Sequence, residues 1–219
     1  MKFKGAIMDL DGTLLDSMWV WSEIDDIYIR SKGMIPEPDL SRKLARKNMM
    51  ESVEYFQQAY NIHEPAEKMA ADLWALAEYA YRHLTPLKPN VYNFLMECHR
   101  RNIRLVIATA SDKEFTKAAL QRCGVWHLFE GIITSDEIGK SKNEPDIFYG
   151  ALHMLGLPIE QAVVFEDSLH AIETAKKAGF YTAAVYDKYS EPDKTALRAT
   201  ADFYLRTFLD WHFDATANL

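Results

Sequence analysis

The sequence predicts an α/β protein: a mainly parallel sheet with helices on both faces, and an all-helical segment inserted after the first strand. Three observations carry that expectation. A short apolar run, Gly5-Ala6-Ile7-Met8, lies near the start of the chain and ends abruptly in acidic residues. From Asp16 to about Leu84, apolar residues recur at helical spacing with almost no strand signal. Beyond Pro86 and Pro89, helical and strand patterns alternate through short connections.

Each element follows from local chemistry. Gly5–Met8 has the length and apolarity of a buried strand. Asp16 or Ser17 suits the N-cap of a helix running through Met18, Trp21, Ile24, Ile27 and Tyr28, which Gly33 and Pro36-Glu37-Pro38 end. A second helix is expected from Leu40 to about Tyr60, and a third from Pro65 to His83. Helices are then predicted over 90–101, 112–124, 145–156 and 168–179. Strands are predicted over 103–108, 131–134, 162–165 and 181–185, with an edge strand over 201–205. The tail Trp211–Leu219 carries no element signal and reads as partly disordered. The expected division is an α/β core of residues 1–15 and 86–219, with a helical unit of residues 16–85.

Bulk composition narrows the function classes. With 25 basic against 32 acidic residues in 219, the formal charge is −7, which disfavours a general nucleic-acid binder. The one basic cluster, Ser41–Lys47, reads as a helix surface able to attract anions locally. Cys98 and Cys123 lie on predicted helices among apolar neighbours and read as free thiols. Met1-Lys2-Phe3-Lys4 offers no signal-peptide core, and no apolar run is long enough to span a bilayer. A cytoplasmic protein with no membrane partner is expected, and oligomeric state stays open.

The chemistry concentrates where predicted strands end. Asp9-Leu10-Asp11-Gly12-Thr13-Leu14 follows the first strand directly. Strand alternation turns Asp9 and Asp11 toward one volume, and Gly12 lets the backbone turn away. Two carboxylates this close repel unless a cation or a shared proton intervenes, and Mg²⁺ suits such oxygen ligands. An acidic turn or a solvated strand end competes with this reading. A calcium loop of the EF-hand kind does not, because Leu14 stands where that loop needs Gly.

Other strand ends are similarly pointed. Thr109-Ala110-Ser111-Asp112 offers hydroxyls and backbone N–H groups at a helix start, suited to a phosphate oxygen or to plain N-capping. Lys140 and Lys142 precede the helix that Pro145 starts, and either reads equally as a solvated lysine. Glu166-Asp167-Ser168 places two acids at a sheet edge, as ligands or as helix-capping charges.

Taken together these segments resemble the haloacid dehalogenase-like hydrolase superfamily over almost the full chain. Asp9-Leu10-Asp11-Gly12-Thr13 matches its first motif and Val106–Ser111 resembles its second. Lys142 with Pro145-Asp146-Ile147-Phe148 resembles the third, and Phe165-Glu166-Asp167-Ser168 the fourth. The resemblance implies a Rossmann-like core with a small helical cap, as in β-phosphoglucomutase-like and phosphoglycolate phosphatase-like members.

It also implies roles. Asp9 would be the nucleophile that forms an aspartyl-phosphate, and Asp11 the general acid and base. Thr109 and Lys142 would hold phosphate oxygens, with Ala110 and Ser111 beside them, and Lys142 would neutralise developing charge. Mg²⁺ would be held by the Asp9 carboxylate, the Asp11 backbone carbonyl, Asp167 and Glu166. The expected activity is Mg²⁺-dependent hydrolysis of a small phosphorylated metabolite such as a sugar phosphate.

Asp11 favours phosphate esters, because the superfamily's dehalogenases lack the paired aspartate and its ATPases carry threonine there. Asn143 departs from the proline common after the third-motif lysine, which keeps Lys140 as an alternative to Lys142. A phosphomutase is the nearest rival, and it needs a second anion site in the cap. Met49 and Met50 before Glu51-Ser52 weaken that reading, with Arg46 and Lys47 upstream. A non-catalytic phosphate- or metal-binding protein is the rival from another class. Met18, Trp19 and Trp21 are candidates for selecting substrate or for packing the cap's own core, and His170 is a weak site neighbour.

Overall fold

The computed structural model describes residues 3–44, 47 and 49–213 of the chain. It contains two compact units, one of Met1–Asp16 with Thr85–Leu219 and one of Ser17–Leu84.

The first unit holds a six-stranded sheet. Its strands are β1 (Gly5–Met8), β2 (Arg104–Thr109), β3 (Gly131–Thr134), β4 (Ala162–Glu166), β5 (Tyr181–Val185) and β6 (Phe203–Leu205). The order is β3-β2-β1-β4-β5-β6, and every neighbouring pair is parallel. The chain leaves β1, builds β2 and β3 on one side, and then returns to build β4 to β6 on the other. Such a reversal opens a crevice at the carboxyl ends of the strands beside β1, where open α/β sheets bind ligands.

Both faces of the sheet are covered, which explains why its strands read as continuous apolar runs rather than alternating ones. On one face Ile7, Val106, Ala108 and Val164 pack with Phe148, Ala151, Ala171 and Phe180, all buried. Alternation sends Phe165 to the other face, where its ring meets Phe94, Phe208 and Trp211 at centroid distances of 5.3, 6.1 and 4.9 Å. Trp211 is therefore a core residue and the expectation of disorder fails there: an irregular segment can be held by one large aromatic ring. Residues 214–219 lie outside the described residues.

Among its described residues the second unit holds helices and no strand. It comprises α1 (Met18–Ser31), α2 (Leu40–Leu44), α3 (Met49–Ala59) and α4 (Ala66–His83). Tyr28, Val53, Phe56, Met69, Leu73 and Tyr81 form its interior. The expected single helix over residues 40–60 is not continuous, because Lys47, between α2 and α3, lies in no helix. A continuous helix would set Lys43 beside Lys47 at i,i+4, where like charges repel. Of the basic cluster, Ala45 and Arg46 lie outside the described residues.

The remaining helices belong to the first unit: α5 (Val91–Arg100), α6 (Lys113–Arg122), α7 (Ser135–Ile138), α8 (Asp146–Leu155), α9 (Leu169–Lys177) and α10 (Lys194–Thr200). The sequence reading missed α7, a single turn held by a Thr134–Glu137 capping box and too short to carry periodicity. Cys98 is buried, Cys123 is half-buried, and both are free. No helix among the described residues is long and apolar enough to cross a membrane.

Candidate active site

The register of the sheet decides which residues meet. Met8 pairs with Ile107 on β2 and with Phe165 on β4, so Asp9 comes next to the ends of both neighbours. The Asp9 amide continues the ladder, donating to the Phe165 carbonyl at 2.9 Å. Gly12, at φ 76°, turns the chain back, and its amide donates to the Leu15 carbonyl at 3.0 Å. The acids are thereby fixed at a strand end and a tight turn.

One lysine joins the two sides of the crevice. Lys142 Nζ donates to Asp9 Oδ1 and, at 2.9 Å, to Glu166 Oε1. All three side chains are more than nine-tenths buried. Glu166 Oε2 accepts from the Ser168 amide at 2.7 Å and from its hydroxyl at 2.9 Å. Asp167 accepts from Ser190 Oγ at 2.8 Å. One carboxylate oxygen from each of Asp9, Glu166 and Asp167 lies within 4.8 Å of the others.

A second contact ties β2 to the same turn. Thr109, the last residue of β2, is buried, and its Oγ1 accepts from the Ser111 amide at 3.0 Å. Ser111 Oγ donates to Asp11 Oδ2. The N-cap of α6 is Asp112, which accepts from the amides of Glu114 and Phe115, so Ser111 is not needed for capping. Ala110 is exposed between them. The alternative lysine, Lys140, is half-exposed and pairs with Asp146 at 2.8 Å. His170 is exposed.

Burial sets the charge balance. It pushes the Asp9 carboxyl up to about 7: Lys142 opposes the rise, while Glu166 and Asp11 add to it. Asp167 rises well above its ordinary value, first through burial and then through Glu166 and Asp9. Burial also works against Glu166, but Lys142 and Ser168 outweigh it and hold that carboxyl low. Lys142 stays charged, since Asp9 and Glu166 overcome the burial that would neutralise it.

The sequence profile of the family described as "Haloacid dehalogenase-like hydrolase" matches residues 6–185, and thus both sides of the crevice. The chain belongs to that family. Among its relatives is a phosphorylated carbohydrates phosphatase of Thermotoga maritima, 26% identical over 176 residues, which cover 80% of this chain and 82% of the relative. A phosphoglycolate phosphatase of Vibrio cholerae is 28% identical over 205 residues, covering 89% of each. In fold the chain resembles CbbY from Rhodobacter sphaeroides, crystallised in complex with phosphate. That likeness has a TM-score of 0.79 at 23% identity and covers 99% of this chain and 100% of the other.

The donor set of this haloacid dehalogenase-like hydrolase fits a hard divalent cation. Three buried carboxylates face one ammonium, so full ionisation leaves two negative charges in excess. The raised Asp9 and Asp167 carboxyls reflect that excess, and a cation with oxygen ligands would relieve it.

Three supporting residues escaped the sequence reading. Lys88 Nζ donates to the Gly12 carbonyl, to the Tyr186 carbonyl at 2.7 Å and to Asp187 Oδ2 at 2.7 Å. Asp187 in turn accepts from the Tyr189 amide at 2.9 Å, and its carbonyl accepts from the Ser190 amide at 3.1 Å. Ser190 reaches Asp167, so one chain of bonds runs from the turn after Asp11 to an acid of the cluster. Asp187 is the second residue after β5, so reading the residues beyond each strand end would have found it. Lys88 and Ser190 carry no comparable signal.

Proposed function

We propose that this hydrolase is a divalent-cation-dependent phosphatase of small phosphorylated metabolites, sugar phosphates foremost, working through an aspartyl-phosphate on Asp9. The observation that carries the reading is the buried Asp9–Lys142–Glu166 pairing with Asp167 beside it. A nucleophilic carboxylate meeting a phosphate needs positive charge close by, and this arrangement supplies it without exposing the site to water.

Each residue then has a role. An Asp9 carboxylate oxygen attacks phosphorus as the bond from phosphorus to the ester oxygen breaks. Asp11, oriented by Ser111, gives its proton to the departing alcohol, then takes one from the water that attacks the phosphoryl-aspartate. Inorganic phosphate leaves and Asp9 is restored. Thr109 and Lys142 hold the oxygens of the transferring group, with the Ala110 and Ser111 backbone amides beside them. Asp9, Glu166, Asp167 and the Asp11 backbone carbonyl would hold Mg²⁺, which when bound screens the repulsion between carboxylate and phosphate. The helical unit of residues 17–84 is read as the cap that selects the ester.

The relatives named as phosphatases support hydrolysis as the outcome. The test is a screen of phosphorylated metabolites that reads released phosphate with Mg²⁺ and with a chelator. Mg²⁺-dependent release from a subset of esters is expected. Interconversion of sugar phosphates without release would make the protein a mutase. No turnover of any ester would return it to the non-catalytic binders.

A further inference from the structure

The helical unit contains a cavity of about 330 Å³ whose lining includes Trp21, Asp25, Ser41, Lys47, Ser52 and Trp74. That volume lies within the range of small-molecule pockets. Asp25 sits on α1 among apolar neighbours and is only 9% exposed. Among the described residues, no hydrogen bond or ion pair reaches its carboxylate. Burial, and next the like charge of Asp26, push its carboxyl up to about 6. A carboxylate held among apolar side chains is costly to ionise, and Asp25 lines the cavity with no donor among the described residues to offset that cost. Among the described residues Lys47 is the one cation in that lining; it is exposed, and no ion pair joins it to Asp25.

The walls beside Asp25 are specific. Trp21 Nε1 donates to the Tyr81 hydroxyl at 3.0 Å, which fixes its indole plane. Trp74 meets Trp21 edge-on, with centroids 6.2 Å apart and planes at 82°. Two indoles at right angles offer faces that attract a cation or the C–H face of a sugar ring. Ser41 and Ser52 add hydroxyls that both donate and accept.

We propose that this cavity binds a small hydroxylated molecule bearing an ammonium group, with Asp25 accepting from the ammonium and the indoles flanking it. An ammonium supplies the donor and the charge that Asp25 lacks; a hydroxyl supplies only the donor. In combination with the phosphatase reading, on which this step alone rests, the favoured substrates are phosphate esters of amino sugars or amino alcohols.

The test separates the two claims. Glucosamine against glucose, and serinol against glycerol, are titrated into the full-length protein by calorimetry and tryptophan fluorescence, without any phosphate ester present. Each amine is expected to bind about 10-fold tighter than its hydroxyl partner, the increment of a charge-assisted bond. Asp25→Asn is expected to erase that preference, and Trp74→Leu to weaken amine binding. Equal affinities within each pair, or no amine binding at millimolar concentration, overturn the proposal. Phosphate release is then compared for glucosamine 6-phosphate and glucose 6-phosphate. A protein that binds amines but releases phosphate from no ester, p-nitrophenyl phosphate included, keeps this site and loses the phosphatase reading. Release from esters without amine preference keeps the phosphatase reading and overturns the substrate class inferred from this site.

Discussion

Replacing Asp25 by Asn is expected to make the protein more stable, and only above a definite pH. In the folded chain the Asp25 carboxyl titrates at about 6 against an ordinary value of 3.8, because burial penalises its charged form. Between those values the folded state holds a proton that the unfolded chain has already released. Wild-type stability therefore falls as pH rises through that window and is fully reduced above it. A displacement of this size corresponds to roughly 3 kcal/mol. Asparagine has nearly the shape of the protonated acid and never takes the charge, so the variant avoids the loss. Urea unfolding of both proteins, followed by helical circular dichroism and tryptophan fluorescence from pH 4 to 8, measures the difference. At pH 7.5 the variant's midpoint should lie about 1–3 M higher in urea, from typical slopes of about 1–3 kcal/mol per molar. The gap should close as pH falls through 6 and vanish near 4. Coincident midpoints at every pH, or a less stable variant at pH 7.5, would mean that Asp25 has a stabilising partner and that the cavity argument is wrong.

Other perturbations test the crevice. Asp11→Asn should bind phosphate like the wild type yet slow turnover about 10²–10⁴-fold, measured as kcat on the best ester, and an unimpaired variant would remove its acid–base role. Lys142→Met strands the buried Asp9 and Glu166 carboxylates. It should cost about 3–5 kcal/mol at neutral pH by urea unfolding and lower kcat by at least about 100-fold. The loss of stability should be smaller at pH 5, where Asp9 can take up a proton, and a pH-independent cost would contradict the charge balance described. Lys88→Met cuts the bonds that link the Gly12 turn to Asp187 and, through Ser190, to Asp167. Calorimetric Mg²⁺ affinity should drop about 10–100-fold with little change in ester KM, and Lys88→Arg should recover part of it; unchanged affinity would make Lys88 a purely structural anchor.

Much of this organisation was legible in the chain because its chemistry sits at strand ends. Short apolar runs marked the strands, and a parallel sheet brings their carboxyl ends to one rim, so Asp9, Thr109 and Glu166 could be grouped before their contacts were known. The choice between Lys140 and Lys142 was not legible. Both precede Pro145, and only the folded loop sends one into the interior and leaves the other against Asp146. Lys88 was invisible for a related reason: two of its three partners are the backbone carbonyls of Gly12 and Tyr186, which no side-chain pattern announces. Trp211 was misread because a lone aromatic beyond the last strand has no period, although the rings of Phe3, Phe94, Phe165 and Phe203 pack around it. The sequence analysis passes over Asp25, one polar position on an amphipathic helix, and only its burial with no partner among the described residues sets it apart.

Whether the Asp9 carboxylate itself accepts the phosphoryl group can be read directly by quenching the working enzyme with a turned-over ester and reducing with borohydride. A phosphorylated aspartate is converted to homoserine by that treatment, and peptide mass spectrometry should find homoserine at position 9 and nowhere else. Unmodified Asp9 under conditions of rapid phosphate release, or homoserine at another acid, would contradict the account.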